Sequence, residues 1–138
     1  IMHGYTYSGH PLACAAALAN LSIVVDEDLP SNAANTGTYF LEELSKLMEF
    51  SSVGDVRGLG LMLAVELVRS KHSKEPCMPS DDLCVGLHTL CREQGVWVRI
   101  QGNKMILSPP LVFERGHVDE AINAIRGAFK KLGVKRNP

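Results

Sequence analysis

Over residues 11–25 apolar side chains take nearly every position. A helix there has no polar face and must be covered on most sides or bridge two bodies of protein. Asp26-Glu27-Asp28 ends that stretch, and Leu29-Pro30-Ser31 restarts the chain. Ala33, Gly37, Phe40, Leu41, Leu44, Leu47 and Met48 then recur at steps of three and four, the period of an amphipathic helix. Over 53–68 the pattern changes. Val53 and Val56 precede Gly58 and Gly60, and Leu61, Met62, Leu63, Ala64, Val65, Leu67 and Val68 follow. The glycines predict a bend or bulge, and the apolar run predicts a central strand. Residues 69–80, with Lys71, His72, Ser73, Lys74, Pro76 and Pro79, read as a solvated loop.

Ser80 or Asp81 caps the next helix, whose inner face is Leu83, Cys84, Leu87, Leu90 and Cys91 and which stops at Gly95. Residues 96–100 alternate. Val96, Val98 and Ile100 face one side, and Trp97 and Arg99 face the other. Gln101-Gly102-Asn103-Lys104 is a turn, Met105-Ile106-Leu107 completes a hairpin, and Pro109-Pro110 ends the pairing. A last helix carries Val118, Ala121, Ile122, Ile125, Phe129 and Leu132 on one stripe. The order helix, helix, strand pair, helix, strand pair, helix predicts an α+β fold, a mainly antiparallel sheet covered by helices. The all-apolar helix over 11–25 would leave an exposed apolar patch on a free-standing domain of this size, which implies a missing partner.

The 138 residues amount to one domain's worth of chain, 46% hydrophobic and 21% charged, as in soluble globular proteins. A net charge of −1 without a basic run argues against nucleic acid or an anionic membrane as partner. The apolar helix is too short to span a bilayer. Cys14, Cys77, Cys84 and Cys91 form no CxxC pair, and His88 between Cys84 and Cys91 is a weak metal constellation, so no metal is expected. Thiols buried on one helix face fit a reducing compartment, the cytosol or an organelle matrix. No signal peptide is read, and a chain that starts at Ile1 inside a functional-looking motif is expected to be a fragment of a longer protein.

The chemistry-bearing stretch is residues 1–12, a glycine- and hydroxyl-dense loop that runs into the alanine-rich helix. Thr6, Tyr7 and Ser8 supply three successive hydroxyls, Gly9 permits close backbone approach, and Pro11 suits the first helical position. Such a helix start presents free N–H groups and a positive dipole end to an anion such as phosphate. An ordinary capped helix start would look much the same. Asp55 and Glu66 show no spacing that indicates a general acid/base pair, and Arg57 reads as structural, packed near the glycine bend. Gly58-Leu59-Gly60 is neither a dinucleotide nor a P-loop fingerprint.

Three segments in order, His3-Gly4-Tyr5-Thr6-Tyr7-Ser8-Gly9-His10-Pro11, Val56-Arg57-Gly58-Leu59-Gly60-Leu61-Met62 and Ser108-Pro109-Pro110-Leu111-Val112, resemble the last third of a class III (omega) aminotransferase. These are pyridoxal-phosphate enzymes of fold type I. The resemblance implies that residues 1–28 end the large cofactor domain and form a connecting helix, and that 29–138 are the C-terminal small domain. It implies a homodimer in which Thr6 hydrogen-bonds the phosphate of the partner subunit's cofactor, with Tyr5 and Ser8 as further cofactor-site residues. Ser8, Gly9 and His10 equally serve to shape the loop. Arg99, with Trp97 beside it, looks equivalent to the arginine that binds the acceptor's carboxylate in pyruvate-type omega-aminotransferases.

Other branches carry an arginine a few residues before the two prolines. Ile106 stands there in this chain, which argues against an ornithine- or acetylornithine-type enzyme. The family's Schiff-base lysine lies upstream of the Thr-Tyr-Ser-Gly segment. None of Lys46, Lys71, Lys74, Lys104, Lys130, Lys131 or Lys135 matches it, so no catalytic residue is expected in this chain and no transamination by the chain alone. The expected role of the whole protein is amino-group transfer between an amine or ω-amino acid and a 2-oxo acid, pyruvate favoured, with the missing large domain as partner. A non-catalytic, stand-alone structural or ligand-binding module is the alternative.

Overall fold

The computed structural model describes residues 4–136, so Ile1, Met2 and His3 of the opening loop lie outside the described residues. Four helices, α1 (Pro11–Asp26), α2 (Leu29–Ser45), α3 (Asp82–Glu93) and α4 (Arg115–Lys131), accompany five strands. The strands are β1 (Val53–Leu59), β2 (Met62–Ser70), β3 (Glu75–Pro76), β4 (Arg99–Gln101) and β5 (Lys104–Leu107). All pairings are antiparallel, in the order β1-β2-β5-β4 with β3 added to the end of β2. The α+β expectation holds.

Pro11 opens α1 as its first residue, and α1 ends within the acidic run. None of its residues is buried, and Leu12, Leu18 and Val25 are each about two-thirds exposed or more. Asp28 then turns the chain through a left-handed conformation (φ 45°), which a short polar side chain tolerates. Phe40 and Leu44 of α2 point inward as the periodicity requires, but Met48 does not. The helix tightens to a 3-10 turn over Lys46–Glu49, which buries Leu47 and swings Met48 into solvent.

The stretch 53–68 is a hairpin. Its turn is at Gly60-Leu61, where Gly60 takes φ 54°, and its irregularity lies between Val53 and Asp55, ahead of both glycines. The expected loop over 69–80 is partly ordered, since Glu75–Pro76 pairs with β2 and Cys77 is buried. Asp81 occupies the N-cap position of α3 without capping it. Its carboxylate instead accepts hydrogen bonds from Arg69 and from the Met78 N–H. The alternation over 96–100 is visible in burial, with Val98 fully buried and Trp97 and Arg99 exposed, although only Arg99–Gln101 joins the ladder.

One face of the sheet carries Leu63, Val65, Leu67, Met105 and Leu107 into a single core with α2, α3 and α4. Phe50 stacks on Phe129 at 4.8 Å and Phe40 on Phe113 at 6.0 Å. Burial of each such ring contributes about 1.5–3 kcal/mol. Cys84, Leu87 and Cys91 are the buried face of α3, and α4 buries the predicted stripe except Leu132, which is half-buried.

Residues paired directly across strands share a face, so two rows cross the other side of the sheet. One is Arg57–Ala64–Ile106–Arg99, and the other is Asp55–Glu66–Lys104–Gln101. This corrects the expectation that Asp55 and Glu66 lack a carboxylate neighbour. The hairpin register sets them opposite each other, and Arg57 reaches both. Arg57 is therefore an exposed counter-ion between two carboxylates. No described helix is long and apolar enough to cross a membrane.

Candidate functional site

The singled-out residues fall in two places. The first is the turn ahead of α1. The Ser8 N–H donates to the Tyr5 carbonyl at 3.0 Å and the His10 N–H to the Tyr7 carbonyl at 3.2 Å, and Gly9 takes φ 75° to let the chain enter the helix. The Tyr5 N–H donates to Ser8 Oγ at 3.1 Å, so the Ser8 oxygen helps shape the turn. Thr6 differs: it is exposed, and its hydroxyl has no hydrogen-bond partner among the described residues. His10 gives α1 no side-chain cap, and no acidic residue stands in its first turn. The positive end of the helix is thus uncompensated, with an open hydroxyl one turn of chain away, a donor set that suits a phosphate dianion. Tyr5 and Tyr7 are both exposed beside it.

The second place is the start of β4. Arg99 lines two cavities. One, of about 520 Å³, has walls from Phe40, Val96, Leu107, Pro109 and Phe113, with His117 and Glu120 at its polar side. The other, of about 360 Å³, lies between β4 and α3 against Cys84, Val85 and His88. The Arg99 guanidinium makes no ion pair or hydrogen bond among the described residues. Trp97 borders both cavities. Its ring meets His88 edge-on at 5.3 Å, and the Arg92 guanidinium lies 5.2 Å from its centroid.

His117 stacks on Phe113 at 5.2 Å, and its Nδ1 accepts the Glu114 N–H in a capping box at the start of α4. The sequence reading missed His117 and Glu120. Their one signal is the helix start five residues after Pro110, which says nothing about which cavity they border.

The two places are not joined within this chain: neither cavity beside Arg99 includes a residue of the 4–10 loop. No lysine lines either cavity beside Arg99. Lys46 pairs with Glu43, Lys71 donates to the Met48 carbonyl at 2.6 Å, and Lys104 donates to Asn103. Burial lowers the Lys71 pKa. Lys130 and Lys131 end α4. No group of three or more His, Cys, Asp or Glu among the described residues is placed to hold a metal ion.

The sequence profile described as aminotransferase class-III matches residues 1–129. The omega-aminotransferase of Caulobacter vibrioides is 38% identical over 126 residues, which is 91% of this chain and 27% of that protein. The putrescine–pyruvate aminotransferase of Pseudomonas aeruginosa is 38% identical over 129 residues, 90% of this chain and 27% of the relative. Among solved structures, an amine transaminase from an uncultivated Pseudomonas species in its PLP-bound form superposes with a TM-score of 0.89 at 50% identity. That match covers 95% of this chain and 30% of that one. The chain therefore spans less than a third of the length of the relatives it matches. A family profile running almost end to end, with the same fold in a PLP-bound relative, shows that this chain belongs to the class III aminotransferase family, whose full-length members carry pyridoxal phosphate.

Proposed function

We propose that this chain is the C-terminal portion of a transaminase that moves an amino group between an amine or ω-amino acid and a 2-oxo acid, with pyruvate as the favoured acceptor. In this reading residues 1–28 end the large cofactor domain and bridge to the small domain, and 29–138 are that small domain. The exposed, all-apolar α1 supports the bridging role, because such a surface needs cover from a second body of protein. The carrying observation is the open Thr6 hydroxyl ahead of an uncapped helix start. Thr6 donates to a phosphate oxygen of the cofactor held by the partner subunit of a homodimer, the α1 N–H groups add to that grip, and the Tyr5–Ser8 turn fixes the approach.

When bound, pyridoxal phosphate supplies the electrophilic carbonyl and electron sink that amine exchange requires. Arg99 receives the carboxylate of the 2-oxo acid, for which its unpaired guanidinium at the rim of an apolar cavity is suited, and so orients the reacting carbonyl. The pyruvate preference is also supported by the putrescine–pyruvate relative. The lysine that bonds the cofactor belongs to the large domain.

An absorbance scan with added pyridoxal phosphate tests this reading. The intact protein is expected to keep a dialysis-resistant cofactor band, and this chain alone is expected to show none. A stable band in the chain alone would overturn the assignment of the lysine to another part of the protein.

A further inference from the structure

The residues that enter β4 show how Arg99 is held, a point that rests on the carboxylate role proposed above for that residue. Residues 96–98 lie outside the ladder, which begins at Arg99. On the core side they are fastened by Val98, fully buried, and by the Val96 N–H donating to the Cys91 carbonyl at 3.0 Å. On the side that carries Arg99 they are fastened by the Trp97 indole, which lies against His88 edge-on and under the guanidinium of Arg92. Trp97 is still 68% exposed, and it borders the same two cavities as Arg99, two residues away on the same side of the strand. Arg99 itself has no polar partner among the described residues to fix its direction.

We infer that Trp97 is a positioning residue for Arg99. Its ring, pinned to α3 by His88 and Arg92, forms a fixed wall that restricts the Arg99 side chain to orientations from which it can meet a substrate carboxylate. A flexible arginine with no partner loses rotamer freedom when it binds, and a rigid aromatic wall reduces that loss before the substrate arrives. The effect is confined to substrates that carry a carboxylate. An aldehyde acceptor has none and does not call on Arg99.

The test uses the full-length enzyme loaded with pyridoxal phosphate, with Trp97→Ala, Trp97→Phe and Arg99→Ala. Two quantities are read: KM and kcat for pyruvate against an aldehyde acceptor, and the calorimetric Kd for propionate, a carboxylate that does not react. Trp97→Ala is expected to raise the pyruvate KM and the propionate Kd by about three- to fivefold, within the cost of immobilising one rotamer-rich side chain. The aldehyde KM is expected to change less than the pyruvate KM, and Trp97→Phe is expected to restore wild-type values because it keeps a ring in place. Arg99→Ala is expected to weaken both carboxylates on the order of tenfold to a hundredfold.

If Arg99→Ala leaves pyruvate and propionate binding unchanged, the carboxylate role of Arg99 is wrong. If Arg99→Ala weakens them while Trp97→Ala does not, or if Trp97→Ala damages pyruvate and aldehyde turnover alike, the positioning role of Trp97 is wrong. Failure of Trp97→Phe to rescue would also overturn the ring-wall account.

Discussion

A Cβ added to Gly37 would lie 2.1 Å from the carbonyl oxygen of Gly60, so α2 and the β1–β2 turn are in backbone-to-backbone contact at that point. Both partners are backbone and neither can step aside as a flexible side chain could. Gly37→Ala is expected to force α2 off the hairpin and destabilise the protein by about 3 kcal/mol. A Cβ on Gly60 would meet the Ala33 carbonyl oxygen only at an ordinary 3.6 Å, but Gly60→Ala must hold φ 54°, a smaller cost of about 1–2 kcal/mol. Urea unfolding of the two single variants and the double variant checks both values. The double variant should fall short of the sum, since a helix already displaced no longer needs that turn geometry.

Asp81 makes stability depend on acid. Its paired hydrogen bonds with Arg69, and then the Met78 N–H, hold its pKa at about 2, below the ordinary value of 3.8. The folded protein thus binds this proton more weakly than the unfolded chain. The contribution is fully present above about pH 4 and is lost as pH falls toward 2. Acid unfolding followed by circular dichroism should be less steep between pH 4 and 2 in Asp81→Asn than in the parent. An identical acid limb would show that the Arg69–Asp81 pair contributes nothing to folding.

The cysteines should react in two classes. Burial pushes Cys84 and Cys91 up to about 11 and raises Cys77, whereas Cys14 is exposed on α1. At pH 8 a thiol with pKa near 11 is thiolate only about one part in a thousand, and the reagent must also reach it. A thiol-specific reagent is expected to label Cys14 of this chain within minutes and the other three only on unfolding. Early labelling of Cys84 or Cys91 would contradict the packing of α3.

Thr6→Ala is expected to weaken pyridoxal phosphate binding to the full-length enzyme by about tenfold, the value of one hydrogen bond to a charged group. Thr6→Ser should retain most of it. Titration of the cofactor absorbance gives both constants, and equal affinity in all three proteins would remove Thr6 from the phosphate site.

Much of this molecule was legible from short-range pattern. The helices at 29–45, 82–93 and 115–131 were readable because a helix brings residues three and four apart onto one face, a relation contained within each segment. The β4–β5 hairpin was readable because Gly102 supplies the positive φ its turn needs. Thr6 as an exposed hydroxyl at a helix start was likewise a matter of neighbours in sequence.

What the sequence determined by itself, then, was the helices and the two hairpins, their apolar faces and the local chemistry of the opening loop, but not β3 or the 3-10 turn. The tertiary structure alone decided which distant groups meet: Asp55 with Glu66 across a register, Arg69 with Asp81 across β2 and α3, Gly37 with Gly60, and Trp97 against His88 and Arg92. Periodicity reports the direction of a side chain from its own segment, whereas these encounters depend on how two segments dock. Docking is set by the shape of the whole buried core, which no local window contains.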